Sequence, residues 1–517
     1  MATARERLGF IAGTLIAVLA LVTLAGGLPP AAAPAPDPGP AKAGIPAAST
    51  DEETVDEEAG GDEDVAAEED EQHEGVERRI EAWEAAKKAG KDGQRDKRTY
   101  LKAAAPAGTS AWVGEIPIDA AADDWEPAIA ADPSAPWVYL LTTRYGTDKP
   151  CPGNCPSPFI ALYVSADGGA TWGTAKPLCA CKGNGQFDPI IEVVPNTGDV
   201  YSVFLIGFNV WFTKSTDHGA TWSAPVKTYG NVSWNDKPVI AIGQDGRDVY
   251  VAFNGPTGGD PWAVQSHDAG VTWSQFKLID SGRYVYAFDA DVAVDGTVYF
   301  AESSLQYSSA GKHSALIDWI EEHVFSSRDR GATWQDKVVA LTQPGLNCTA
   351  VGCTTDFYQG HAAISADANG ALVFLYDGAT VAGGKQLIYT SRSTDRGTTW
   401  TTPVVLSTTG EEATEPMIES RGSGDVRMAW TQTSGGGNVD AWNQWFRKST
   451  DGGATWSTAV RISDATSGAP YKSAAGYAEV YGDYGEIAIT NAGKTIATWG
   501  EGISYTGPGG VWVNRER

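Results

Sequence analysis

Between residues 112 and 513 the chain is a succession of short apolar runs, separated by Gly, Asn, Asp or Pro. Val249-Tyr250-Val251-Ala252-Phe253 and Val298-Tyr299-Phe300 show the type, and β-branched and aromatic residues bounded by turn formers predict antiparallel strands. Seven runs open on a polar residue: Glu126-Pro127-Ala128-Ile129, Asp188-Pro189-Ile190-Ile191, Lys237-Pro238-Val239-Ile240, Asp289-Ala290-Asp291-Val292, His361-Ala362-Ala363-Ile364, Glu415-Pro416-Met417-Ile418 and Tyr484-Gly485-Glu486-Ile487. A third strand, as in Leu162-Tyr163-Val164, leads into a recurring phrase, and a fourth follows it, as in Pro403-Val404-Val405-Leu406.

That phrase is Ser-x-Asp-x-Gly-x-Thr-Trp. It occurs six times, with Asp167, Asp217, Asp268, Asp329, Asp395 and Asp451 spaced 50 to 66 residues apart, a period that predicts a propeller, solenoid or array. A seventh unit, Tyr484 to Arg517, supplies three strands and lacks the fourth. Trp112–Asp119 resembles the segment after each box, and Trp112 precedes Glu126 by 14 residues just as Trp222 precedes Asp236 by 14. The expectation is an all-β, seven-bladed β-propeller of four-stranded blades, the last closed by the N-terminal strand. Roughly 400 residues over seven blades gives ~58 each, enough for four strands of ~5–6 residues plus loops. The alternative, six blades, leaves one inner strand unassigned.

Ahead of the propeller (109–517) three segments are expected. In 1–29, Arg5 and Arg7 precede an uncharged apolar run from Leu8 to Leu28, an export signal. Its 21 residues exceed the ~7–15 of a secretory core and reach the ~20 that span a bilayer, whereas Ala31-Ala32-Ala33 suits cleavage. Signal peptide and membrane anchor both stay open. Residues 30–76 read as a Pro/Ala-rich and acidic disordered linker, with fourteen acidic residues and no Lys or Arg from Asp51 to Glu74. Residues 77–108 read as a short charged helix around Trp83 and a linker.

Net charge is −27, which disfavours nucleic acid as a partner. Export makes the six cysteines legible as disulfides: Cys348 with Cys353, and Cys151, Cys155, Cys179 and Cys181 in any of three connectivities. Cys179 and Cys181 would bridge each other only with strain, which favours cross-pairing with Cys151 and Cys155. No metal and no cofactor is assigned, because thiolate sites are less expected outside the cytosol and no EF-hand spacing, Walker, dinucleotide or Ser-His-Asp motif occurs.

The boxes resemble those of the Asp-box, or bacterial neuraminidase repeat, class of β-propellers, which includes sialidases; the likeness covers Trp112 to the C-terminus. It implies that the boxes lie on the face opposite the active site. Sialidases of this class clasp a carboxylate with three Arg, use a Tyr nucleophile paired with Glu, and an Asp acid/base. Their first Arg lies in an Arg-Ile-Pro motif; here the comparable stretch is Trp125-Glu126-Pro127, and none of the seven strand heads is Arg. Tyr484, Tyr481 and Tyr358 are then the possible nucleophiles, and Arg144, Arg283 and Arg447 the possible clasps.

The seven polar heads are expected to ring the central channel on the face away from the boxes. Glu126, Asp188, Asp289, Glu415 and Tyr484 are the candidate catalytic groups; Arg144, Lys237, His361, Trp262 and Trp442 the candidate substrate contacts. Arg144, Glu302, Asp377 and Glu501 end the second strands, a helix His313–His323 is expected to carry Trp319, and Trp262 and Trp442 are expected in loops. Three functions follow: a glycoside hydrolase built on paired carboxylates, a non-catalytic carbohydrate- or protein-binding module, or a lyase-like site on His361, Tyr358 and Lys237. Alternatively to any of these, the acids cap backbone N–H groups at the strand starts. The expected setting is a secreted or membrane-anchored monomer outside the cytoplasm, meeting extracellular glycan or glycoprotein.

Overall fold

The computed structural model describes residues 111–517, apart from 120, 146–155, 180–183, 233, 256–258, 280–281, 307–318, 346–358, 434–441, 464–483 and 503–508. Seven antiparallel sheets of four strands each make up a β-propeller, and the inner strand of every blade contacts the inner strands of both neighbours. Blades 1 to 6 begin at Asp123–Ala131, Gln186–Val193, Asp236–Ile242, Tyr284–Val292, Ala362–Ala366 and Ala413–Arg421. Blade 7 begins at Glu486–Ile489 and takes its outer strand from Ile116–Pro117. The apolar run Leu8–Leu28 and the helix around Trp83 lie outside the described residues.

Strand alternation builds the core. In blade 3, Val249, Val251 and Phe253 pack toward blade 2, while Tyr250 and Ala252 pack toward blade 4. A strand covered on both faces reads as continuously apolar, which is why the second strands read as near-continuous hydrophobic runs. Seven such clusters fill the seven seams, and burying each Val, Leu or Phe there contributes ~1.5–3 kcal/mol.

The six boxes fold alike. In the first, Ser165 Oγ donates to Asp167 Oδ1 (2.8 Å), Gly169 N donates to Ser165 Oγ (2.9 Å), and the Thr171 hydroxyl donates to Asp167 Oδ2 (2.7 Å). The box glycine must be glycine. Gly270 has φ +81°, and a Cβ there would lie 2.1 Å from the ring of Phe212 in the preceding blade. The box therefore closes each turn on itself and seats it against its neighbour.

One expected element is corrected. The helix His313–His323 is not formed at its C-terminal end, because Ile320–Ser327 is the third strand of blade 4 and pairs with Val298–Leu305. The apolar spacing of that segment suits a helix, but ladder bonds to two strands prevail over it. Its neighbour Gln335–Thr342 is an eight-residue outer strand.

Closure rests on Ile116 pairing with Val513 and Pro117 with Trp512. The clasp extends outward: Val113 N donates to Arg515 O (3.0 Å), Arg517 N to Ala111 O (2.7 Å), and buried Trp112 meets Phe446 edge-on at 5.1 Å. Trp112→Ala is expected to destabilise the fold by about 3–5 kcal/mol in denaturant titration, the usual cost of emptying a buried aromatic site. A loss below ~1 kcal/mol would show that the clasp does not hold the ring.

Candidate functional site

Four inner strands carry the same backbone device. Glu126, Asp188, Lys237 and Glu415 have φ of 52°, 47°, 51° and 51°, and each precedes a proline. At each the ladder to the second strand slips, between Trp125 and Ala128, Phe187 and Ile190, Asp236 and Val239, and Thr414 and Met417. A left-handed conformation costs an L residue ~1–2 kcal/mol, and a β-bulge turns a side chain away from its regular direction. The inner strands of blades 5 and 7 pair without any such slip, so the propeller does not demand it.

Three of these side chains, Asp188, Lys237 and Glu415, converge on the axial channel, a cavity of about 370 Å³ lined by all seven inner strands. Asp188, Lys237, Asp289, His361, Glu415 and Tyr484 line it. Glu126 is not in its lining; its carboxylate accepts from the Thr143 hydroxyl (2.6 Å) and from Asp188 N (3.3 Å), bracing blade 2 against blade 1. Asp289 Oδ1 accepts from Ala290 N and Oδ2 from Ile364 N of the next blade, both at 2.8 Å. Glu415 accepts from the Thr431 hydroxyl at 3.0 Å. Tyr484 donates its hydroxyl to Pro189 O at 3.3 Å, and Lys237 Nζ sits 5.9 Å from the centre of its ring.

His361 is buried beside the rim. Its Nδ1 lies 2.9 Å from Asp377 Oδ2 and 3.2 Å from the Thr414 hydroxyl, and Asp377 Oδ1 accepts from the amides of Gly360 and His361. Arg144 lies away from the cavity, its guanidinium committed to Asp124 (2.8 Å), Asp119 (3.3 Å) and the Tyr163 hydroxyl. Trp262 and Trp442 are not loop residues: they belong to the third strands Pro261–Ser266 and Trp442–Ser449, and Trp442 is buried. Cys179 is disulfide-bonded, and the other five cysteines, with Tyr358 and Tyr481, lie outside the described residues.

Below the rim the structure adds carboxyl groups that the strand heads do not announce: Glu192, Asp291, Glu419 and Glu486 line the same cavity. The signal lies two or four residues beyond a head, as in Asp289-Ala290-Asp291 or the lone Glu192 within an apolar run. Two of them staple neighbouring blades. Asp291 Oδ2 accepts from Ala366 N (2.7 Å), and Glu486 Oε2 accepts from Ile129 N (2.5 Å), which joins blade 7 to blade 1.

Withdrawal from solvent deep in the ring pushes all of these acids up. Burial is the largest cause for Glu192, followed by repulsion from Glu486, Glu419, Asp291 and Asp289. Asp289 and Glu419 are each pushed up to about 8, again first by burial. At the box-face end Arg421 binds the carbonyls of Thr490, Asn491 and Pro133, tying blades 6, 7 and 1 together.

The class defined by this architecture is the seven-bladed β-propeller with an acidic axial channel. No protein-family model and no curated protein matches the sequence. Solved structures similar to it are sialidase-like and other glycan-acting propellers at low identity. A Hadza microbial sialidase is 14% identical over 69% of this chain and 73% of its own, with a TM-score of 0.39. A polysaccharide lyase described as an ulvan lyase is 11% identical over 78% and 95%, with a TM-score of 0.46. The Trypanosoma rangeli sialidase bound to sialic acid is 14% identical over 76% and 54%, with a TM-score of 0.36.

The channel acids set a pH dependence. Asp289 and Glu419 keep a proton to about 8 when folded, whereas an unfolded carboxyl releases it near ~4. The stability they contribute is fully present below ~4 and is lost as pH rises toward ~8. The box acids act oppositely: threonine hydroxyls and amides hold Asp217, Asp395 and Asp451 down to about 2, so their contribution is lost as pH falls from ~4 toward 2. Melting temperature is expected to be higher at pH 5 than at pH 8, and Glu419→Gln to shrink that difference. An equal difference in wild type and variant would remove the assignment.

Proposed function

We propose that the channel mouth binds glycans and cleaves them by acid catalysis, with Asp289 as the proton donor to the departing oxygen. Glycosidic bond cleavage needs one carboxyl held protonated and a second ionised nearby. The observation that carries the reading is Asp289: a rim acid kept in its proton-bearing form up to about 8, on the same cavity as Asp188 and Glu415. Its two backbone contacts each use a single lone pair, so the protonated oxygen still has a hydrogen to give. Four strained rim positions support the same reading, since backbone strain of this kind collects at functional sites.

In this proposal Asp188 or Glu415 acts as base or nucleophile, and Lys237 and Tyr484 position the sugar. The proposal includes a monomer working outside the cytoplasm, secreted or held by its N-terminal segment, on the strength of Arg5, Arg7 and the run Leu8–Leu28. A second reading is favoured by the His361–Asp377 contact of 2.9 Å: a base on the same cavity as the cationic Lys237 suits proton abstraction next to a uronate carboxylate, giving an ultraviolet-absorbing product.

Turnover is to be measured on chromogenic aryl glycosides and on polysaccharides including uronate polymers. Asp289→Asn is expected to lower kcat by ~100-fold or more while leaving glycan binding in place, and wild-type kcat/KM to fall above pH ~8. Full turnover in the variant would overturn the role of Asp289. Ultraviolet-absorbing products abolished by His361→Ala would select the lyase, and glycan binding without any turnover would select a binding module.

A further inference from the structure

A second cavity, of about 290 Å³, opens on the outer rim between blades 4 and 5. Most of its residues come from the channel-mouth ends of their strands: Leu341 and Thr342 finish the outer strand of blade 4, Trp319 precedes the third strand of that blade, and Ala379 follows the second strand of blade 5. It therefore faces the same side of the ring as the mouth, further from the axis.

Three features mark it out. Trp319 is 46% exposed and Leu341 53% exposed, large apolar groups offered to solvent at one lip. The backbone carbonyl of Trp319 is held by the guanidinium of Arg283, which also reaches Ser304 O at 3.3 Å, so the exposed indole hangs from an anchored main chain. Tyr389 forms an inner aromatic wall and is backed by the fully buried Tyr376, the two rings stacking at 5.4 Å with 13° between their planes. The Tyr389 hydroxyl is buried with no hydrogen-bond partner, a deficit of ~1–3 kcal/mol that a ligand hydroxyl would relieve.

None of the nine lining residues carries a charge, in a chain of net charge −27. That disfavours phosphate, carboxylate and cationic ligands alike. The indole face of Trp319, an unsatisfied phenol and the hydroxyl of Thr380 suit a ligand with apolar ring faces and equatorial hydroxyls. We propose that this rim cavity is a binding subsite for a neutral sugar ring of a polysaccharide, separate from the channel. It goes beyond the reading of the mouth, since it would hold a chain whether or not the mouth performs chemistry.

Affinity gel electrophoresis of the full chain in galactomannan, arabinan, mixed-linkage glucan and starch tests it. Wild type is expected to be retarded by at least one; Trp319→Ala is expected to weaken that binding at least ~10-fold and Tyr389→Phe several-fold, the size of losing an aromatic contact and a hydrogen bond. Both variants are expected to keep the wild-type melting temperature and wild-type turnover of small aryl glycosides, while Asp289→Asn keeps the retardation. Absence of retardation in wild type, retardation unchanged in Trp319→Ala, or a concentration-dependent dimer dispersed by Trp319→Ala without any polysaccharide effect would each overturn the subsite.

Discussion

Every blade depends on having a neighbour on each side, so the pairing of Ile116 and Pro117 with Val513 and Trp512 is the contact on which the rest of the molecule depends. The seams carry the apolar core, and a ring with one seam open would leave two sheet faces wet. Trp112, buried against Phe446 of blade 6, spreads the closure over two blades instead of one. With the ring shut, the inner strands have nowhere to turn except toward the axis, and their side chains meet there.

That geometry explains the chemistry of the channel. Inner strands pair on one edge only, so their free amides need acceptors, and Asp289, Asp291 and Glu486 supply them across two blade junctions, the first two acids between blades 4 and 5 and the third between blades 7 and 1. The same placement withdraws these acids from water, which pushes all three up and takes Asp289 to about 8. Structural capping and a reservoir of acidic protons are thus two results of one arrangement. The rim residues at positive φ are different in kind, because the strands of blades 5 and 7 form without that distortion.

Blade number, closure and the position of the box turns were legible because Ser, Asp, Gly and Thr of each box bond to one another locally, so the motif reports the same turn wherever it occurs. The ring of polar heads was legible for the same local reason: proline and turn residues mark where each inner strand begins. What escaped notice depends on partners far away in sequence. Glu192 and Glu419 look like isolated polar residues in apolar strands, and only the ring brings them together. The segment ahead of Ser327 has helical spacing, yet pairing with Val298–Leu305 and Gln335–Thr342 makes it a strand. Trp442 follows a glycine-rich stretch and so looks like a loop residue, but it is the first residue of a strand opposite Thr433. Arg144 ends its strand where a ligand contact is expected, and a buried carboxylate at Asp124 claims it instead.

The clasp also brings the amide of Arg517 within 2.7 Å of the carbonyl of Ala111. The ring consequently has no privileged starting point: joining those two residues and opening the chain in a connection from one blade to the next would preserve all seven sheets. Circular permutants of this propeller are therefore architecturally equivalent, and the order in which its blades are synthesised is separable from the structure they reach.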